Sequence, residues 1–314
     1  MNTLLVGYKA KDLFAAAKHG RTRTAEWASA DGVVAHTLDI YDRHAIEKTH
    51  HIKTLCSPHL PAGRWDKVLF RTGPKIMSGE LSLDLLQEIY ALLGGNMKAP
   101  AFVLDFVGRE RDRVSLLEKV SAKGMRPRTF AAKWKASVPG GPEIELVSHP
   151  GCFCHRRVDA GGLALAEVAA REISDAPARF LDMGCGAGTV GFLAKSVHPA
   201  LDLVMVDSHS RAIEAAAENA SRLGFACESI LSDSGIPARM DGSFDFFAGN
   251  PPYYSDYRIA DLFLETALRA LKPGGVCYTV AKNADGLRPV QEKYFGTSET
   301  IPRRGYGVIR SVKR

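Results

Sequence analysis

Phe180-Leu-Asp-Met-Gly-Cys-Gly-Ala-Gly-Thr-Val-Gly191 decides the fold. Its apolar opening reads as a buried strand, and the glycines after it read as a turn that opens a helix. Glycine is needed where the backbone takes left-handed angles and where a ligand approaches main-chain atoms without a Cβ in the way. Two spacings overlap here. Gly186, Gly188 and Gly191 make G-x-G-x-x-G, which sets a pyrophosphate at a helix N-terminus and would suit an NAD-dependent oxidoreductase. Asp182, Gly184, Gly186 and Gly188 make D-x-G-x-G-x-G, the turn beneath the methionine end of S-adenosylmethionine, with Asp182 placed to receive the α-ammonium group. The stretch alone is compatible with both cofactors.

Outward from the turn, strands and helices alternate. The pattern predicts a strand at 179–182, helix 190–197, strand 201–207, helix 211–223, strands 227–231 and 244–248, helix 259–271, strand 276–281 and a last strand within 306–312. Such alternation implies an α/β domain, a mostly parallel sheet with helices on both faces. Asp207 closes the second strand, where a carboxylate can accept hydrogen bonds from both ribose hydroxyls. Asp233, after the third strand, stands where an adenine amino group needs an acceptor.

The fourth strand runs into Asn250-Pro-Pro-Tyr253, which favours the methyl donor over the nicotinamide. Two prolines fix the backbone and remove amide hydrogens, leaving carbonyls around Asn250 and Pro251 without sheet partners. A substrate amine fills that gap: the Asn250 side-chain carbonyl and the Pro251 backbone carbonyl accept its two N–H bonds and turn the nitrogen lone pair toward a sulfonium methyl. Pro252 stiffens the segment, and Tyr253 stacks on the flat substrate. Positioning and electrostatics then carry the catalysis. The same motif serves an RNA base amine, adenine N6 or a protein glutamine amide.

The first half repeats part of the plan. Strand 64–74, helix 81–93, the pair Gly94-Gly95 and strand 101–105 run parallel to 243–252, the helix after it, Gly274-Gly275 and the strand beyond. The copy has Arg71-Thr-Gly-Pro74 in place of Asn250-Pro-Pro-Tyr253 and no glycine-rich turn after its first apolar run. A degenerate domain is expected at 1–148 and a catalytic one at 149–314, divided by the clusters Val138-Pro-Gly-Gly-Pro142 and Ser148-His-Pro-Gly151.

Length and composition agree with two globular domains: 314 residues, 46% hydrophobic and 24% charged. The net charge of +6 is uneven, since residues 1–148 hold 22 Lys and Arg against 16 Asp and Glu, and the rest hold 19 against 19. Between Lys119 and Pro142 there is no acidic residue, while Lys123, Arg126, Arg128, Lys133 and Lys135 are interleaved with Phe130 and Trp134. That composition suits a surface that grips phosphates and stacks bases. Six scattered cysteines make no disulfide framework. His149, Cys152, Cys154 and His155 lie too close in sequence to wrap a tetrahedral metal, so no metal site is expected. The apolar run at Met1-Asn-Thr-Leu-Leu-Val is too short for a signal peptide or membrane span, so a cytoplasmic protein without membrane partners is expected.

Taken together, Pro150-Gly-Cys-Phe153 with Asp159 and Gly161-Gly162, Leu181-Asp-Met-Gly-Cys-Gly-Ala-Gly188, Val206-Asp207, Asn250-Pro-Pro-Tyr253 and Leu271-Lys-Pro-Gly-Gly275 resemble the RsmC/RlmG-type ribosomal RNA guanine-N2 methyltransferases of the class I superfamily. The resemblance covers nearly all of the chain beyond about residue 60. It implies two tandem Rossmann-like domains, the first vestigial and the second seven-stranded, and a ribosomal RNA or assembling subunit as partner. It also implies a cofactor over Asp182 to Gly188, Asp207 and Asp233, with the guanine amine at Asn250 to Tyr253. The chain departs from the pattern at Tyr253-Tyr254, where the family more often has Phe-His, and at Cys154, where it has Ser.

Overall fold

The structure is a computed structural model that describes residues 2–13, 32–63, 65–93, 101–107, 112–117, 126–174, 176–252 and 257–314. They form two units, residues 1–131 and 132–314. The first contains β1 (Thr3–Val6), β2 (Val33–Thr37), α1 (Ile40–His50), β3 (Lys53–Cys56), β4 (Lys67–Thr72), α2 (Gly79–Leu92), β5 (Ala101–Val107) and β6 (Asp112–Leu117). The second opens with β7 (Ala132–Ala136), β8 (Ile144–Ser148), α3 (Ala160–Glu172), β9 (Arg179–Met183), α4 (Thr189–Val197), β10 (Asp202–Asp207), α5 (Ser210–Leu223) and β11 (Cys227–Leu231). It closes with β12 (Phe244–Gly249), α6 (Arg258–Ala270), β13 (Leu271–Ala281), α7 (Ala284–Phe295), β14 (Glu299–Arg303) and β15 (Tyr306–Val312).

Successive side chains of a strand point to opposite faces, and in both sheets both faces are covered. In β9, Phe180 joins a core with Leu165, Phe192 and Ala216 from α3, α4 and α5, whereas Leu181 joins another with Leu264 and Phe295 from α6 and α7. In β1, Leu4 packs with Leu85 and Ile89 of α2, and Leu5 packs with Ile46 of α1. The central strands β1, β9 and β10 are accordingly buried along consecutive residues rather than alternately, whereas the edge strands β11 and β14 are not.

The sheet of the second unit has the order β11-β10-β9-β12-β13-β15-β14, parallel except that β15 runs antiparallel to both neighbours. The first unit has β3-β2-β1-β4-β5-β6, with β6 antiparallel to β5. The two follow one plan, less a strand in the first. Their registers align residue by residue: Val6 pairs with Phe70 where Met183 pairs with Gly249. Asp66 accepts the backbone N–H of Asn2 at 2.7 Å, and Asp245, its counterpart, accepts that of Arg179 at 2.7 Å. Each carboxylate ties the start of the fourth strand to the start of the first. This shared detail, which the fold does not demand, supports duplication.

The boundary lies at Ala131/Ala132 and not at 148/149. The reason is the antiparallel hairpin of β7 and β8, whose Ala136 and Leu146 enter the second unit's core. Asn219 of α5 holds Val147 at both backbone positions, accepting its N–H and donating to its carbonyl, each at 2.8 Å. The cluster Val138 to Pro142 is the turn of that hairpin rather than a linker. With the boundary moved, residues 1–131 hold 20 Lys and Arg against 14 Asp and Glu, so the whole +6 still belongs to the first unit.

Two elements contradict the sequence pattern. The helix α7 contains Gly286 and Pro289, and the strand β14 contains Pro302. The three breakers are tolerated because β14 is an edge strand, paired only with β15, and α7 is anchored by Leu287 in a small core with Ile309 and by Phe295 in the core with Leu181 and Leu264. Among the described residues, no helix is long and apolar enough to cross a membrane.

Candidate active site

The site forms at the C-terminal ends of β9, β10 and β12, where open α/β sheets bind ligands. Gly184, Gly186 and Gly188 all take left-handed angles, with φ of 70°, 55° and 86°. Backbone bonds pin the turn: the amides of Gly184 and Cys185 donate to the Val206 carbonyl at 2.8 and 3.1 Å. Asp207 holds it from the next strand, accepting the Gly186 N–H through Oδ2 and the His209 N–H through Oδ1, both at 2.9 Å. The Ser232 amide donates to the Asp207 carbonyl at 2.9 Å, which draws the loop carrying Asp233 beside the same strand end.

The glycines differ in what a side chain would meet. A Cβ on Gly188 would lie 2.2 Å from the Phe192 ring, and one on Gly184 2.9 Å from Phe263. On Gly186 it would meet nothing within 4 Å. Gly184 and Gly188 therefore serve the fold, whereas Gly186 faces open space above the turn. An open bed over Gly186, bordered by the Asp207 carboxylate, fits an adenosyl cofactor with a ribose to be gripped.

Asp182, which the sequence assigns to an ammonium group, also has a structural task at the end of β9. It is only 2% exposed, and its Oδ2 accepts the Gly191 N–H at 2.9 Å. Gly188, the N-cap of α4, has no side chain to satisfy the first turn, and Asp182 does so from beneath. Burial, with the nearby Asp207 charge, pushes its carboxyl up to about 7, against the opposing pull of the Gly191 bond.

Asn250 follows directly on Gly249, and the pairing of Gly249 with Met183 sets it beside the glycine turn. Its Nδ2 donates to Asp159 Oδ2 at 2.8 Å. Pro251 is buried and Pro252 half-buried, both without an N–H. Tyr253 lies outside the described residues.

The strand order settles which fold carries this turn. Numbered within the second unit it reads 3-2-1-4-5-7-6, with the seventh strand antiparallel, whereas dinucleotide folds run 3-2-1-4-5-6. Residues 143–310 match the family described as Methyltransferase small domain. The chain belongs to it.

Among related small-domain methyltransferases, the ribosomal RNA small subunit methyltransferase C of Stutzerimonas stutzeri is 32% identical over 190 residues, 59% of this chain and 55% of that protein. The enzyme of the same name from Pseudomonas aeruginosa strain UCBPP-PA14 is 28% identical over 286 residues, 81% of each. This chain thus spans about half of the first relative and four-fifths of the second. A solved 16S rRNA guanine-N2 methyltransferase of T. thermophilus, RsmC in complex with AdoMet and guanosine, superposes with a TM-score of 0.77 at 18% identity, covering 100% of this chain and 88% of its own. That likeness extends the shared fold across both units.

Among the described residues, the first unit keeps little of the small-domain site. By register, Leu5 stands for Asp182, Lys9 for Gly186, Thr37 for Asp207 and Arg71 for Asn250; Gly7, at φ 77°, alone is kept, as the match of Gly184. Arg71 fills the strand ends, donating to Asp105 at 2.6 Å and lying 3.5 Å from Asp12, with the Tyr8 ring beneath it.

The expected basic surface is divided by the unit boundary. Arg126 and Arg128 are exposed in the first unit, where Arg128 is fixed through its backbone to Gln87 of α2. Lys133 and Lys135 belong to the second unit and pair with Glu145 and Glu143 at 3.1 and 2.8 Å. Trp134 is half-buried and packs against Cys152, Ala187 and Ala215. Lys123 lies outside the described residues. The cluster His149, Cys152, Cys154 and His155 also disperses, onto Glu218, the Arg211 carbonyl, Asp159 and Ser148 respectively.

Proposed function

We propose that this chain transfers a methyl group from S-adenosylmethionine to an exocyclic base amine of RNA, N2 of a guanine in ribosomal RNA, with the first unit holding the RNA. The observation that carries the chemistry is the register of β12 on β9, which sets Asn250 beside the open bed over Gly186. The guanine target and the ribosomal partner follow the names of the relatives.

S-adenosylmethionine, when bound, supplies a methyl group already activated as a sulfonium. Gly186 would leave room for it, Asp207 would accept from its ribose, and Asp233 would serve the adenine. Asp182 shapes the turn from below. Asn250 Oδ1 and the Pro251 carbonyl accept the two N–H bonds of the guanine amine, and Tyr253 stacks on the base. With its lone pair so aimed, the nitrogen would take the methyl as the sulfur–carbon bond breaks, and the methylated amine would release a proton to water, so that these residues supply positioning and no strong general base is needed. Arg126, Arg128 and Lys123 in the first unit grip phosphates, a role supported by the confinement of the excess charge to that unit.

Incubation with methyl-labelled cofactor and ribosomal RNA, followed by nucleoside analysis, tests the assignment. Label in N2-methylguanosine is expected; label in N6-methyladenosine or in protein overturns it.

A further inference from the structure

We propose that Asp159 is a positioning residue for methyl transfer, acting by fixing which end of the Asn250 amide faces the substrate. This rests on the reading of Asn250 as the acceptor of the base amine.

An asparagine amide presents an acceptor at one end and two donors at the other, and a rotation of half a turn exchanges them. Only the carbonyl end serves here. The wrong orientation would set N–H groups against the N–H groups of the incoming amine. The strand end leaves the choice open: Pro251 and Pro252 follow Asn250 and have no N–H to hold its oxygen. Among the described residues, the partner of the side chain is Asp159, which takes Nδ2 at 2.8 Å.

The other contacts of Asp159 show why it selects. Its Oδ2 also accepts the Gly162 N–H at 2.6 Å as N-cap of α3, and its Oδ1 receives the Cys154 thiol at 3.7 Å. All three neighbours are donors, so the carboxylate is an acceptor on every side. It binds the amino end of Asn250 and turns away the carbonyl. The cap holds the carboxylate in place, and the pair Gly161-Gly162 gives it room, since a Cβ on Gly162 would stand 3.1 Å from Oδ2. The start of α3 is thereby coupled to the chemistry at the end of β12, far away in sequence.

Asp159→Ser and Asp159→Asn separate positioning from folding. Serine caps a helix as well as aspartate does but is too short to reach Asn250. The asparagine oxygen can accept from both Gly162 and Asn250. With wild-type protein methylating RNA, Asp159→Ser is expected to lower kcat roughly ten- to hundredfold, with cofactor affinity and the thermal midpoint little changed. Asp159→Asn is expected to recover most of the rate. In Asn250→Ala, adding Asp159→Ser is expected to cost nothing further, because the two residues act as one.

A second readout does not depend on turnover. In protein labelled with ¹⁵N-asparagine, the Asn250 side-chain NH₂ is expected to be shifted and protected from exchange in wild type, and to lose both features in Asp159→Ser. An unchanged kcat in Asp159→Ser, an additive loss in the double variant, or an Asn250 NH₂ signal indifferent to Asp159 would overturn the proposal. Wild-type protein that binds cofactor but methylates no base amine would instead overturn the function on which it rests, leaving the NMR result to be judged by itself.

Discussion

The carboxylate of Asp207, at the end of β10, accepts the backbone N–H of Gly186 in the turn after β9 at 2.9 Å. One side chain thus shapes the turn over which we propose the cofactor lies, and stands beside it. Its second oxygen is held by the His209 N–H, also at 2.9 Å, so the carboxylate is oriented before any ligand arrives.

Asp207→Ala removes both bonds and the ribose acceptor together. Hydrogen bonds to a charged group contribute about 1.5–3 kcal/mol each, and tenfold in affinity is about 1.4 kcal/mol. Calorimetric titration is expected to show binding of S-adenosylmethionine weakened at least roughly thirtyfold. An affinity within threefold of wild type would remove Asp207 from the site.

Gly186→Ala and Gly188→Ala are expected to fail differently. At Gly188 the new methyl would collide with Phe192, and the fold loses about 3 kcal/mol, read as a lowered denaturation midpoint. At Gly186 the methyl enters open space, so stability falls by only about 1 kcal/mol while cofactor affinity drops sharply. Equal effects of the two substitutions on stability and affinity would contradict this division.

This contrast was half legible in the sequence. The spacing of Gly184, Gly186 and Gly188 revealed the turn, and Asn250-Pro-Pro revealed the strand end; both depend on neighbours in the chain. Which glycine faces ligand depends on Phe192 and Phe263, and spacing carries no trace of that. The second task of Asp182 is hidden for a related reason: a strand-end acid next to a glycine turn reads as a ligand, and nothing in the spacing shows that it also caps the helix that Gly188 opens. Trp134 and the lysines beside it read as a nucleic-acid surface because the run is continuous, and the hairpin with β8 adds what spacing does not show: Glu143 and Glu145 beside the lysines and a core against the indole. The helix α7 and strand β14 were hidden by Pro289 and Pro302, which tertiary packing overrides.

Asp182 also sets a pH dependence. Its carboxyl titrates near 7 in the folded chain and near 3.8 when free, so between those values the folded state keeps a proton that the unfolded chain releases. Stability from this group is therefore full below about pH 4 and declines as the pH rises through about 7. Urea midpoints at pH 5 and pH 8 are expected to differ less in Asp182→Asn, which preserves an acceptor for Gly191 but does not titrate. The same difference in both proteins would contradict the assignment.

RNA binding is expected to respond to the first unit. Reversing Arg126 and Arg128 to glutamate should weaken RNA affinity and flatten its dependence on salt by about one to two in the log–log slope. Lys133→Ala with Lys135→Ala should leave that slope nearly unchanged, because Glu145 and Glu143 already engage both lysines. Filter-binding or anisotropy titrations across salt concentrations measure both, and a steeper loss from the lysine pair would place the RNA on the second unit.

The most direct measurement is single-turnover methyl transfer to ribosomal RNA by Asn250→Ala beside wild type, with cofactor affinity measured on the same samples. If Asn250 receives the base amine, transfer falls at least about a hundredfold, some 3 kcal/mol in the barrier, while S-adenosylmethionine binds within about threefold of wild type. Undiminished transfer by Asn250→Ala, in protein that binds the cofactor normally, would show that the amine is presented elsewhere.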